Sequence, residues 1–245
     1  MNKGDNMEEF IKFAEKFNLN DSMIKLKYDH SFRVQKLCET IAKDEKLPEN
    51  EIALAKLIGL LHDYGRFYQW NLYHTYDDTK SVDHADLGVQ KLFDEDEIKK
   101  YWSNKEDYQT IKKAIKYHNK YSLPENLKEN TLCKIIKDAD KLDILYLCTI
   151  NDIKTKEGGE VTSEIKKDFY NYKLIDRNKM KSEVDNVISR LAFIYDLNFY
   201  YSFEYLKNNE IIEKLFNNIE NKEKVKPYFD EINKYIKEKL EVIKC

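Results

Sequence analysis

The residues best suited to chemistry are histidines and aspartates between positions 30 and 140 of this 245-residue chain. In chain order they are His30, His62, Asp63, His84, His118 and Asp140. Neutral imidazole and carboxylate are common ligands of first-row divalent metals, so the set predicts a metal site. Adjacent His62 and Asp63 can converge on one site only at a helix end or turn. Gly65 predicts that break, because glycine readily adopts the left-handed conformation that stops a helix.

Three of the candidates continue the apolar stripes of expected helices. The stripe partners are Val34, Leu37 and Ile41 for His30, Ile111, Ala114 and Ile115 for His118, and Leu132 and Ile136 for Asp140. A buried imidazole or carboxylate is costly without a partner, and one shared cation relieves several of them together. A single histidine on an apolar face is more often a hydrogen-bonded core residue, so the prediction depends on the combination.

The segments around these residues resemble the HD-domain metal-dependent phosphohydrolases. The segments are YDHSFRV at 28–34, LLHDYGRF at 60–67, SVDHADLG at 81–88, YHN at 117–119 and IKDADKLD at 136–143. The resemblance covers about residues 22–150. It implies an all-α fold, in which an HD-domain helical bundle carries additional C-terminal helices.

The ligand order is similar to that of the two-metal branch of the family. The resemblance assigns one metal to His30, His62, Asp63 and Asp140, and a second to the bridging Asp63 with His84 and His118. Ligands that offer nitrogen and oxygen without sulfur favour Mn, Fe, Co, Ni or Mg over a structural zinc. The expected cofactors are therefore divalent metal ions, two in number.

Two cationic residues beside the ligands are candidates for binding phosphate. Arg66 follows the His62-Asp63 pair where related proteins often carry Lys or Arg, and its guanidinium can clamp a phosphate through two hydrogen bonds. Lys141, next to Asp140, can act as a point charge. A surface salt bridge explains either residue equally well. The predicted catalytic residues are Asp63, Arg66 and Lys141. Asp63 would act by binding the metals, and the other two by binding phosphate.

Three further aspartates are candidates for orienting the imidazoles through their outer ring nitrogens. They are Asp83, Asp138 and Asp143. Helix capping by Asp83 or Ser81 is an equally good interpretation. The remaining histidine, His74, lies in a polar loop at 71–78 and does not fit the ligand order.

The resemblance predicts hydrolysis of a phosphate ester or phosphoanhydride, with a nucleotide as the expected substrate. Two divalent ions about 3.5–4 Å apart can activate water for attack on a phosphoryl group, so no protein nucleophile is needed. Two alternatives stay open: a mixed-valence di-iron oxygenase of the same superfamily, and a non-catalytic nucleotide-binding module. Iron content with oxygen-dependent spectra, or nucleotide binding without turnover, would separate them.

The composition sets limits on partners and location. Hydrophobic residues make up 42% of the chain, which is enough for a sizeable core, and 3 Pro with 6 Gly favour long helices. The net charge of −3 excludes a partner such as long nucleic acid. The longest apolar run, 52–61, is about half a membrane span, and the four cysteines lack metal or redox spacing. A cytoplasmic protein without a membrane partner is expected; the oligomeric state is not predicted.

Hydrophobic patterns predict helices almost throughout the chain. They cover 8–18, 22–45, 50–63, 82–93, 95–102, 106–119, 131–148, 163–171, 183–206, 210–217 and 223–243. We expect a single domain over 1–245, with a metal-binding core at 22–150 and C-terminal helices at 160–245 packing on it. The connector at 155–160 is expected to be a surface loop or a lid. The aromatic residues between 193 and 205 are expected in the core, with base stacking as the alternative role.

Overall fold

A computed structural model of the protein describes residues 5–150, 159–220 and 222–242. Within these ranges the regular structure is helical and contains no strand, which confirms the all-α prediction. The chain divides into two compact units, Met1–Asp140 and Lys141–Cys245. The expected single domain, with its C-terminal helices packed on the core, stays a prediction. The connector at 155–160 lies mostly outside the described residues.

Between residues 5 and 140, the first unit contains six complete α-helices and the start of a seventh. They are α1 (Asp5–Ala14), α2 (Ser22–Asp44), α3 (Glu49–Leu61), α4 (Tyr64–Tyr73), α5 (His84–Val89), α6 (Tyr108–Tyr117) and α7 (Thr131–Ile150), which continues into the second unit. Helix α2 packs against α3, α4 against α5, and α3 against α6. These three pairings bring together the helix ends that carry the candidate ligands.

Two local features position α2 and α3: a cap fixes where α2 begins, and a glycine lets α3 approach it closely. Asp21 caps α2, where its carboxylate accepts a hydrogen bond from the backbone N–H of Met23 at 2.8 Å. Gly59 faces α2, and a Cβ at this position would lie 2.9 Å from Cys38 Sγ and 2.9 Å from Gln35 Cα. Only glycine allows this approach, which places the end of α3 beside His30.

The region between α4 and α6 differs from the sequence prediction. Helix α4 was not predicted, and the polar loop was expected to begin at residue 71. The helix extends to Tyr73 and ends at His74, which has a left-handed conformation with φ of 50°. The expected helix at 82–93 is α5 followed by a π-helical turn, Gln90–Asp94. The expected helix at 95–102 is a short 3₁₀ turn, Glu97–Lys100.

The described residues of the second unit form five further α-helices. They are α8 (Ser163–Tyr170), α9 (Glu183–Leu191), α10 (Tyr200–Asn208), α11 (Ile211–Asn217) and α12 (Lys222–Val242). Helix α12 packs against α9, α10 and α11. In the described part of the chain, no helix combines the length and the apolar character that crossing a membrane requires.

The prediction of one continuous helix over 183–206 is wrong. Helix α9 is followed by a 3₁₀ turn, Ala192–Asp196, and by Leu197 in an extended conformation. The side-chain amide of Asn198 donates to the carbonyl of Asp196 at 2.9 Å, a local bond that competes with helix continuation. The ring of Tyr195 packs 5.1 Å from Phe169 and 4.9 Å from Tyr235, so this aromatic residue contributes to the packing of the second unit.

Candidate metal centre

All six predicted ligands lie in the first unit, and four of them occupy helix ends. His62 directly follows α3, Asp63 directly precedes α4, His84 begins α5, and His118 directly follows α6. The other two lie within helices, His30 in α2 and Asp140 in α7. The four histidines and Asp63 are at most 3% exposed, whereas the side chain of Asp140 is 16% exposed. A break in the helix beside His62 and Asp63 was predicted, and it lies at these two residues instead of at Gly65.

The first group of donors surrounds His30. Its Nε2 lies 3.1 Å from His62 Nε2, 3.1 Å from Asp140 Oδ1 and 3.5 Å from Asp63 Oδ2. His62 Nε2 lies 3.6 Å from Asp63 Oδ2 and 3.7 Å from Asp140 Oδ1. Bonds of about 2.1 Å to a cation separate neighbouring donors by about 3.0 Å in octahedral and about 3.4 Å in tetrahedral geometry. The spacing therefore suits a divalent ion.

The second group uses the other oxygen of Asp63. Oδ1 lies 3.3 Å from His84 Nε2 and 3.7 Å from His118 Nε2, and these two nitrogens are 3.1 Å apart. Each oxygen of this carboxylate thus faces a different group of imidazole nitrogens. Asp63 therefore lies between the two groups and contributes one oxygen to each.

The outer ring nitrogens show which tautomer each imidazole adopts. Nδ1–H of His62 donates to the carbonyl of Gly59 at 2.8 Å, and Nδ1–H of His118 donates to the carbonyl of Ile115 at 2.7 Å. A carbonyl oxygen only accepts, so the proton is on Nδ1 and a lone pair is on Nε2. In His84, Nδ1–H donates to Asp78 Oδ2 at 2.7 Å. The Nε2 lone pairs of His84 and His118 therefore face each other, an arrangement that a cation between them would stabilise.

The protonation states also suit metal binding. Burial, with a smaller effect of the Arg66 guanidinium, lowers the pKa of His84 to about 4. Burial likewise lowers the pKa of His62. Burial acts to raise the pKa of Asp63, but Lys27 and the imidazoles outweigh it and hold this pKa well below its usual range. Neutral imidazoles and an ionised carboxylate are the forms that bind divalent metals.

The predicted role of Gly65 is wrong in its mechanism. Gly65 lies inside α4 and does not have a positive φ. A Cβ at this position would overlap the carbonyl oxygen of His84 and lie 2.6 Å from Gly88 N. The residue is needed because α4 and α5 cross at this point. Their close approach brings His84 to Asp63.

Arg66 lies beside the candidate centre and is held by three acceptors. Its Nη1 donates to Gln69 Oε1 at 2.7 Å, to the carbonyl of Tyr76 at 2.8 Å and to Asp78 Oδ1 at 2.9 Å. Its Nε, which is buried, lies 3.7 Å from Asp63 Oδ1 and has no hydrogen-bond partner within the described residues. One side of the guanidinium is fixed, and Nε–H on the other side is free to bind a ligand.

Lys27 was not among the residues predicted from the sequence. Its Nζ donates to Asp63 Oδ2 at 2.7 Å, and only 15% of its side chain is exposed. Nζ also lies 5.5 Å from the ring centroid of Tyr76, and the guanidinium of Arg66 lies 5.5 Å from the same ring. A signal was present in the sequence, because Lys27 precedes His30 by three residues and so shares its face of α2.

The remaining residues singled out in the sequence lie outside the two donor groups. Lys141 Nζ forms an ion pair with Asp196 Oδ2 at 2.8 Å within the second unit, so the alternative of a salt bridge is observed for this residue. Asp83 caps α5 by accepting from the backbone N–H groups of Ala85 and Asp86. Buried Asp138 and Asp143 lie on α7, and their role in orienting imidazoles stays a prediction. His74, exposed at the end of α4, lies outside the donor groups.

The geometry defines a class of protein: an all-α chain whose first unit holds buried histidine and carboxylate groups able to bind a metal ion. Residues 28–145 match the family described as HD domain. The match identifies this segment as an HD domain, and such domains are in general metal-dependent phosphohydrolases. All six candidate ligands lie within the matched residues. Comparison with curated proteins and with solved structures gave no match.

Proposed function

We propose that the chain hydrolyses a phosphate ester or phosphoanhydride of a small compound with the help of two divalent metal ions. The first ion would be held by His30, His62, Asp63 Oδ2 and Asp140, and the second by Asp63 Oδ1, His84 and His118. Mn, Fe, Co, Ni and Mg are the candidate metals. A nucleotide is the proposed substrate class.

The arrangement around Asp63 carries the proposal. Its two oxygens face two groups of imidazole nitrogens, and three of those nitrogens have lone pairs because Nδ1 holds the proton. Without cations these lone pairs would face one another and an ionised carboxylate in a buried setting, which is unfavourable. One cation would satisfy only one group, so two cations account better for the whole arrangement.

The side chains around the centre support phosphoryl chemistry. When bound, the metals would polarise a phosphoryl oxygen and lower the pKa of an attacking water. The free Nε–H of Arg66 is available to donate to a phosphoryl oxygen beside Asp63. The ammonium of Lys27 adds a second positive charge on the opposite side of that carboxylate. Both would offset the negative charge that develops in the displacement. A phosphate contact for Lys141 stays a prediction.

The test combines metal analysis with a hydrolysis screen. Purified protein would be loaded with Mn, Co, Ni, Mg or Fe, its metal content measured, and its activity assayed on a panel of nucleotides and other phosphorylated compounds. The wild-type protein is expected to bind two ions per chain and to release phosphate. His84→Gln should keep one ion and lose turnover. His74→Gln is the matched control, because His74 is exposed and outside the donor groups, and it should behave as wild type.

Three results would contradict the proposal. Metal-independent turnover would remove the role of the donor groups. Oxygen consumption that requires iron, with no phosphate release, would favour the di-iron oxygenase. Tight nucleotide binding without turnover of any compound would favour a non-catalytic binding module.

A further inference from the structure

One carboxylate connects the second donor group to the cation beside it. Asp78 opens the 3₁₀ turn Asp78–Lys80 in the connection between α4 and α5. Its Oδ2 accepts from His84 Nδ1–H at 2.7 Å. Its Oδ1 accepts from Arg66 Nη1 at 2.9 Å and from Gln69 Nε2 at 2.9 Å. Asp78 therefore fixes a candidate metal ligand with one oxygen and a candidate phosphate-binding residue with the other.

This support differs from that of the neighbouring imidazoles. Nδ1–H of His62 and of His118 donates to a backbone carbonyl three residues earlier, an acceptor that side-chain substitution does not remove. His84 depends on a side chain instead. Gln69, which is fully buried, holds Asp78 in place and is itself anchored by donating to Ser81 Oγ at 2.8 Å and to the carbonyl of Val82 at 2.9 Å. The Asp78 carboxylate is thus held in place by Gln69, whose amide is itself anchored by hydrogen bonds.

We infer that Asp78 is a positioning residue that makes binding of the second metal ion depend on the same carboxylate that orients Arg66. This inference rests on the proposed two-metal function and extends it. Asp78 was not among the three aspartates predicted to orient imidazoles. One of those three, Asp83, caps α5, which was the alternative interpretation, and accepts from Asn119 Nδ2 at 3.2 Å. Outer partners of metal ligands typically contribute about 10- to 100-fold in metal affinity.

Asparagine at this position tests the inference, because it preserves the volume and changes only the donors. If its amide N–H faced His84, Nδ1 would have to carry a lone pair and the proton would move to Nε2, which could no longer bind a metal. If its oxygen faced His84, the amide would face Arg66 Nη1 and Gln69 Nε2, which are both donors. Either orientation disrupts one of the two connections.

The experiment measures Mn²⁺ binding to metal-free protein by calorimetric titration. Wild type is expected to bind two ions. Asp78→Asn should bind the first ion as wild type and the second about 10- to 100-fold more weakly. Asp77→Asn is the matched control, since Asp77 precedes Asp78, is more exposed, and its carboxylate accepts from Thr79 and pairs with exposed Lys80 in the same turn. Arg66→Gln leaves the Asp78 bond to His84 intact and should still bind two ions.

A second readout does not depend on a variant that folds. In metal-free wild type, ¹⁵N NMR of the imidazoles should show His84 with its proton on Nδ1; the Nε2–H tautomer would overturn the inference. Unchanged affinity for the second Mn²⁺ in folded Asp78→Asn would also overturn it, while leaving the proposed function intact. A wild-type protein that binds a single ion would refute the two-metal function, and the inference would fail with it.

Discussion

Two buried aspartates, one in each unit, have opposite surroundings. Asp185 is fully buried and accepts from Thr162 N at 2.9 Å, Thr162 Oγ1 at 2.7 Å, Lys181 N at 2.9 Å and Ser182 N at 3.1 Å. Asp63 is almost equally inaccessible, but the groups beside it are the Lys27 ammonium, the Arg66 guanidinium and imidazole nitrogens 3.3 to 3.7 Å away. The first carboxylate has hydrogen-bond donors from the protein alone, and the second is the one to which the proposed function assigns cations.

A structural carboxylate and a carboxylate proposed to bind metal differ in the chemistry of their neighbours. Burial alone does not separate the two residues, and neither does a lowered pKa, which both share. The chemistry of the neighbours does. Asp185 accepts hydrogen bonds from backbone N–H groups at the start of α9. Asp63 instead faces imidazole nitrogens that are themselves acceptors. Substitutions at both aspartates and at their neighbours test this distinction.

The largest effect is expected for Asp63→Ala. Both donor groups lose their shared member, so hydrolysis should fall below detection, and affinity for Mn²⁺ should fall by more than about 100-fold, the upper range for loss of an outer partner of a ligand. Helical content measured by circular dichroism should stay largely intact. Full activity of the purified variant would show that Asp63 does not bridge two metals.

Asp185→Ala should instead lower stability by about 3 kcal/mol, because three backbone N–H groups lose their acceptor. Burial acts to raise the pKa of Asp185, but the hydrogen bonds from Lys181 and Thr162 outweigh it and lower the pKa. The stabilisation is therefore present above the unfolded pKa, 3.8, and is lost as pH falls through the lower folded pKa. Urea unfolding at several pH values measures it. Mn²⁺ binding should match wild type, and a loss would contradict the comparison.

Metal addition should stabilise the wild-type protein. At about 100 times the dissociation constant, each ion raises the free energy of unfolding by about 2.7 kcal/mol. Chelation should reverse the gain. Thermal unfolding with and without Mn²⁺ measures it, with Asp63→Ala as the variant expected to gain little. Equal stabilisation of both proteins would place the bound ions elsewhere.

Gly65→Ala should cost about 2 kcal/mol, since a methyl group must be accommodated between α4 and α5 by backbone movement. The shift would displace His84 and weaken the second ion more than the first. Gly88→Ala is the milder control, because the nearest atom to its added Cβ, Gly65 N, is 3.1 Å away. Equal behaviour of the two variants in denaturation and Mn²⁺ titration would argue against a special role for this crossing.

The smallest effect is expected for Lys27→Met. If the ammonium contacts the substrate phosphate, KM should rise about 10-fold, or roughly 1.4 kcal/mol, with metal content unchanged. Lys25→Met is the control on the same helix, because Lys25 is exposed and pairs with Asp29. Steady-state kinetics on the best substrate of the screen measures the difference. Unchanged KM would restrict Lys27 to neutralising Asp63.

The sequence predicted which residues lie on buried faces better than it predicted the residues that contact them. Helical periodicity placed His30 and His118 on buried faces because that pattern depends only on local spacing. Contacts with Lys27 and Asp78 depend on how separate segments meet, which periodicity does not describe. The crossing of α4 and α5 at Gly65 is likewise a tertiary feature, and a glycine in a one-dimensional pattern looks the same at a turn as at a close contact.

The placement of donors at helix ends also limits where this chain can change length. His62 and Asp63 form the whole joint between α3 and α4, so an insertion or deletion there would rotate one donor away from the other. The segment 121–130, between α6 and α7, contains none of the six donors. Shortening or lengthening that segment would not alter the residues next to any donor, so natural or engineered variants should differ in length there and stay constant at 62–63.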